Sequence, residues 1–138
     1  MKGNTCIQAT IAVCCYLLFA FIPASSVAQS PASVLTNRIS KSWKMEKMMQ
    51  GSKATSNDEA MGDFVLIIHP DHTVEQGMYP DGLIKGTWSI DEQKRILSIK
   101  DVETAIVYDM KIISVSADKL VLEDQSSTGG LTIYYKAK

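Results

Sequence analysis

The chain has 138 residues, 46% of them hydrophobic and 21% charged, with a formal net charge of −1 at pH 7. That length suits one domain with one core. The charge is nearly balanced: no basic stripe supports nucleic-acid binding, and no polybasic cluster marks an anionic membrane surface.

Lys2 is the only charged side chain before residue 29, and an apolar run follows from Ile11 to Ile22. Pro23 and the small residues Ala24-Ser25-Ser26-Val27-Ala28 complete the order of a secretory signal peptide, with cleavage expected after Ala28. The run is too short for a spanning helix, which needs roughly 20 residues. Residues 1–28 are therefore expected to be removed, residues 29–41 to form a lead-in, and residues 42–138 to form the folded unit of a secreted or periplasmic protein. Cys6, Cys14 and Cys15 all lie in the leader, so the exported chain is expected to hold no disulfide, thiol nucleophile or thiolate metal site. A lipid-modified Cys14 or Cys15 is disfavoured: Val13 is not small, and the apolar run continues through Leu17-Leu18-Phe19. No membrane span is expected to survive cleavage.

In the lead-in, Leu35 and Ile39 are four apart, and Ser33–Ile39 is expected as a short helix. The first strand begins near Ser42. Alternation places Trp43, Met45, Lys47 and Met49 on one face and Lys44, Glu46, Met48 and Gln50 on the other. Gly51–Met61 is polar and small, and is expected to be the longest connection, a lid or binding loop. Further strands are expected over Gly62–His69, Thr73–Tyr79, Leu83–Ile90, Arg95–Lys100, Ala105–Val115, Lys119–Glu123 and Leu131–Lys136. Turn residues separate them, most clearly Pro70-Asp71 and Pro80-Asp81-Gly82. Short links favour antiparallel neighbours. Eight strands can close into a barrel that holds side chains or one small ligand. The expected fold class is thus all-β, a single eight-stranded antiparallel up-and-down barrel with a short N-terminal helical lead-in.

Three segments carry a resemblance over roughly residues 39–138. They are Ile39-Ser40-Lys41-Ser42-Trp43-Lys44-Met45, Phe64-Val65-Leu66-Ile67-Ile68-His69-Pro70-Asp71-His72-Thr73, and Ile84-Lys85-Gly86-Thr87-Trp88-Ser89-Ile90-Asp91. They resemble the lipocalin-like domains of small bacterial secreted proteins, whose barrels begin with Gly-x-Trp. Lys41 stands here at the glycine position. The resemblance implies that Trp43 plugs the closed end, that Lys136 is the basic residue packing on it, and that the scaffold binds small apolar molecules.

Catalytic chemistry finds little support. His69, Asp71 and His72 could ligate a metal only with a further ligand such as Asp58 or Glu59. An ordinary turn is the preferred reading, with His72 in the left-handed region that histidine tolerates. No Gly-x-Ser-x-Gly elbow or Gly-rich phosphate loop occurs. Asp101, Glu103, Glu123 and Asp124 suit strand ends and turns, and alternation turns Asp109 outward. No enzyme, metal or cofactor is implied.

The expected barrel lining is Trp43, Met45, Phe64, Leu66, Met78, Trp88, Tyr108, Met110 and Tyr135. It would be either a soft pocket for a small apolar or amphipathic ligand, gated by Gly51–Met61, or a plain core filled by adaptable methionines. Val65, Ile67, Val107, Ile113 and Val115 form a second candidate, an outer apolar face for a protein partner. The leading expectation is an exported non-enzymatic container. The alternative is an envelope-associated protein-interaction module with a filled interior.

Overall fold

The computed structural model describes residues 31–56 and 62–138. The expected leader with its cleavage point and cysteines, and Asp58, Glu59 and Met61, lie outside the described residues. The described residues begin with helix α1 (Pro31–Ile39) and continue through nine strand segments. These are β1 (Ser42–Gln50), β2 (Lys53–Ser56), β3 (Phe64–Ile68), β4 (Thr73–Met78), β5 (Gly82–Asp91), β6 (Ile96–Asp101), β7 (Val107–Val115), β8 (Lys119–Asp124) and β9 (Leu131–Ala137).

All pairings are antiparallel. From β3 to β9 each strand pairs with the next, and β9 pairs with β1 to close the sheet. Nine segments fill eight places, because β2 and β3 lie end to end on one edge of β1. β3 pairs with Ser42–Lys44, and β2 with Lys47–Gln50. The expected eight-stranded antiparallel barrel with a helical lead-in is present, and closure removes the exposed edges of an open sheet.

The expected long loop is corrected. Gly51-Ser52 makes a tight turn, with Gly51 at φ 60, and Lys53–Ser56 returns as β2. That segment is polar and almost wholly exposed. Its ladder to β1, rather than any buried side chain, makes it a strand, and apolar alternation could not reveal it.

β1 departs from simple alternation. Its register with β9 shifts between Met45 and Lys47, so Glu46 is an extra residue. Trp43 and Met45 point inward, but beyond the bulge Met48 takes the inward place, opposite Ile133. Met48 packs on the core, while Lys47 turns out to lie 4.7 Å from the Tyr134 ring. A second shift between Ile112 and Ser114 turns Val115 inward against Leu120.

The core lies inside the barrel and under α1. Ile39, Trp43, Leu97, Leu120 and Leu122 are completely shielded from solvent, with Leu66, Ile68, Val74 and Ile112 almost so. α1 contributes Ile39 and Leu35, the pair expected from their spacing. The Ile39 carbonyl accepts a hydrogen bond from the Trp43 indole N–H (2.9 Å), and the Thr36 carbonyl accepts from both the Ser40 amide (3.1 Å) and hydroxyl (2.8 Å). Two of the helix's last-turn carbonyls, Thr36 and Ile39, are thereby occupied.

Candidate ligand-binding mouth

The antiparallel order sorts the turns between two ends. The end under α1 carries the turns after β3, β5 and β7, and the far end carries the turns after β1, β4, β6 and β8. Inward positions near the helix are sealed, including Trp43, Ile68, Val74, Trp88, Leu97, Ile112 and Leu120. Lys41 Nζ lies over the Trp43 ring, 5.2 Å from its centroid, and donates to the Ala117 carbonyl (2.8 Å). The cation on the first tryptophan is therefore Lys41. Lys136, expected there, pairs across the ladders with Lys44 and Lys119 on the outward face.

Cross-strand register turns all nine expected lining residues to one face. Trp43 stands opposite Leu66, Phe64 opposite Met78, Tyr108 opposite Ile99, Met110 opposite Leu97, and Tyr135 opposite both Met45 and Leu120; Trp88 also faces Ile99. They occupy different depths. Trp43, Met45, Leu66, Trp88 and Tyr135 are buried, and Phe64 and Met110 are half-buried. Met78 and Tyr108 keep 40% and 38% of their surface exposed. Ile84, which the sequence reasoning missed, faces inward opposite Gln76 and is 46% exposed. Its alternation with Gly86 and Trp88 on one strand was the available signal.

Trp88 is held at the helix end. Its indole N–H donates to the His69 carbonyl (2.9 Å), its amide donates to the His72 carbonyl (2.9 Å), and its ring centroid is 4.7 Å from that of His72. His72 has φ 67, the left-handed conformation expected of it, and Asp71 Oδ1 accepts from the Thr73 amide (3.0 Å) and hydroxyl (2.6 Å). Those bonds hold the Asp71 carboxyl below the usual range. The segment is a turn clamping a tryptophan, and no metal-binding cluster of three or more His, Cys, Asp or Glu occurs among the described residues.

The mouth has two chemical sides. Met78, Ile84 and Tyr108, on β4, β5 and β7, make one wall apolar. Gln50, Lys53 and Asp124, on β1, β2 and β8, supply inward polar groups across from it. Two inward carboxylates are already engaged. Asp101, 5% exposed, accepts from the amides of Glu103 (2.7 Å) and Thr104 (3.0 Å), which lowers its pKa. Asp124 accepts from the amide (2.8 Å) and hydroxyl (2.7 Å) of Ser126. Asp109 faces outward as expected, accepting from the Ser98 hydroxyl at 2.6 Å. Deeper inside, burial pushes the Tyr135 hydroxyl well above the ordinary tyrosine range.

The expected outer apolar face does not assemble. Val65 and Ile67 are on β3 and Val107 on β7, four places apart around an eight-place barrel. Val65 is only 1% exposed, and Val115 points inward. Hollows lie outside the wall. One of about 400 Å³ beside the β1 bulge is lined by Lys44, Glu46, Lys136 and Lys138 among others, with Lys44 bound to Asp63 at 2.6 Å.

The fold is a closed eight-place antiparallel barrel, sealed at the end under α1 and with Met78, Ile84 and Tyr108 partly exposed toward the other. No protein-family model matches the chain, and no curated protein does. A solved structure does: the crystal structure of a DUF4847 family protein from Bacteroides vulgatus ATCC 8482. It is 15% identical, with a TM-score of 0.52, over 76% of this chain and 97% of that one. At that identity the likeness shows a shared barrel fold alone.

Proposed function

We propose that this chain is an exported, non-enzymatic binding protein that holds a small apolar or amphipathic molecule in the mouth of its barrel. One observation carries the reading: Met78, Ile84 and Tyr108 point inward by register yet remain 38–46% exposed. Apolar side chains facing a barrel interior are normally covered by their neighbours. Here they present a partly uncovered wall of the kind that lines small-molecule sites. Export is supported by Lys2, the Ile11–Ile22 run and the small residues ending at Ala28.

The interaction-module reading keeps one specific support. Val102, Ile106 and Val107, in and beside the β6–β7 turn, are 65%, 50% and 55% exposed at the same end of the barrel. A protein partner would cover this turn, whereas a small ligand would cover Ile84 and Tyr108. Native mass spectrometry of residues 29–138, purified gently from the host, separates the two. A discrete added mass lost on denaturation is expected, and Ile84→Asp should reduce it. A clean mass, with no uptake from a lipid and metabolite extract, would sink the container reading.

A further inference from the structure

A hollow beside helix α1 brings both signs of charge onto an apolar bed. It is about 490 Å³ and is lined by Val34, Leu35 and Arg38 of α1, Glu92 and Arg95 of the β5–β6 turn, and Val115 of β7, among others. Glu92 Oε1 is shielded from solvent and has no hydrogen-bond partner, the one such buried side-chain oxygen or nitrogen among the described residues. Its neighbour Asp91 differs: it accepts from the Lys94 amide at 3.0 Å and pairs with the Lys94 ammonium at 3.5 Å. No ion pair among the described residues joins Glu92 to either arginine. Arg95 is fixed in place, because its carbonyl accepts from the Ile112 amide (2.7 Å) and its Nε donates to the Ile112 carbonyl (3.0 Å). Its terminal guanidinium nitrogens, and the whole guanidinium of the exposed Arg38, make no hydrogen bond or ion pair with a described residue.

A buried acceptor without a donor is costly and calls for a group that completes it. The other residues of the hollow restrict what that group can be. A simple cation would reach Glu92 only against two guanidinium charges. A simple anion would suit the arginines and leave Glu92 unmet. A zwitterion meets both signs, its ammonium on the carboxylate and its own carboxylate on a guanidinium, each a charge-assisted bond. The terminal torsion of a glutamate is soft, so a modest turn brings the shielded oxygen to a ligand in the hollow. Val34, 43% exposed, and the partly buried Leu35 and Val115 offer the apolar bed for the rest of the molecule. We infer that this hollow binds a small zwitterion with an apolar body, an apolar α-amino acid or dipeptide. Glu92 takes the ammonium, and Arg38 and Arg95 take the carboxylate. The site lies beside α1, outside the barrel wall, and does not depend on what the interior holds.

Calorimetric titration of the protein purified from its host tests this with four probes: L-leucine, L-leucyl-L-leucine, N-acetyl-L-leucine and L-leucinamide. At about pH 6.5 their amines are protonated and their carboxyls ionised. At least one of the two zwitterions should bind about tenfold or more tighter than N-acetyl-L-leucine, which lacks the ammonium, or L-leucinamide, which lacks the carboxylate. Glu92→Gln should weaken that zwitterion several-fold and leave N-acetyl-L-leucine unchanged. Arg38→Gln should weaken it in the same sense and leave L-leucinamide unchanged. Arg38 is exposed and Glu92→Gln keeps the shape of the side chain, so both variants should melt close to wild type. A single-charge probe that binds as tightly as the zwitterions, or zwitterion binding that both variants leave unchanged, would overturn the assignment. Failure of both zwitterions to bind would overturn it as well, with Glu92 then completed by water alone. None of these results touches the container role, whose site is inside the barrel.

Discussion

Single residues hold this barrel where backbone geometry leaves no alternative. Gly77 has φ 135, and a Cβ there would lie 2.0 Å from the Gly82 carbonyl oxygen. Gly51 also has positive φ, 60, but a Cβ there meets nothing within 4 Å. Gly77→Ala should therefore cost at least about 2–3 kcal/mol in urea unfolding, and Gly51→Ala only about 1 kcal/mol. Equal costs would mean that the β4–β5 approach is looser than described. Trp88→Phe removes the bond to His69 and should destabilise by about 1–3 kcal/mol. Asp101 gives a pH signature. Its folded pKa is lowered by the amides of Thr104 and Glu103, so its stabilisation is complete above the ordinary aspartate value of about 4 and is lost as pH falls through the folded value. Relative to Asp101→Asn, the wild-type advantage should be constant near neutrality and shrink in acid. An advantage that grows on acidification would contradict this assignment.

At the scale of elements, two bulges and one hairpin decide which side chains meet the interior. Simple alternation along β1 puts Met45, Lys47 and Met49 on one face and Lys44 and Met48 on the other, but the extra residue Glu46 reassigns everything after it. A one-residue slip exchanges all faces of a strand, and nothing in Lys44-Met45-Glu46-Lys47 announces one. Deleting Glu46 should leave Met45, Lys47 and Met48 in unbroken alternation opposite Tyr135, Tyr134 and Ile133, so the variant should keep Met48 inward and unfold cooperatively; loss of cooperative unfolding would mean that the bulge itself is needed for closure. Helix α1 acts as the lid of the sealed end through Ile39, which is wholly buried. Ile39→Ala should cost about 2–5 kcal/mol while leaving the affinity of a mouth ligand unchanged, since the change lies at the opposite end. Weakened binding at constant fold would show that the ends communicate.

At the scale of the molecule, the barrel was legible because strands such as Phe64–Ile68 and Ile96–Asp101 announce themselves by burial pattern and turn chemistry. Antiparallel neighbours then follow from short links. β2 was not legible, because a polar strand held by its ladder has no side-chain signature. The inward face was legible: the nine lining residues do share it. Their depth was not, because periodicity reports the face of a residue but not its distance from the mouth. Trp88 illustrates this, an inward tryptophan whose indole N–H is engaged by the His69 turn at the sealed end. The outer face failed for a topological reason, since residues on β3 and β7 cannot meet around a closed barrel.

The central claim is that the open end receives an apolar or amphipathic molecule against Met78, Ile84 and Tyr108. The most direct test is a two-dimensional NMR titration of isotope-labelled protein, residues 29–138, with 1-decanol. The account predicts saturable shifts concentrated at Gln76, Met78, Ile84, Tyr108 and Met110, with Trp43 and Trp88 indole signals unmoved. Shifts confined to Val102, Ile106 and Val107, or no saturable shift at all, would contradict it.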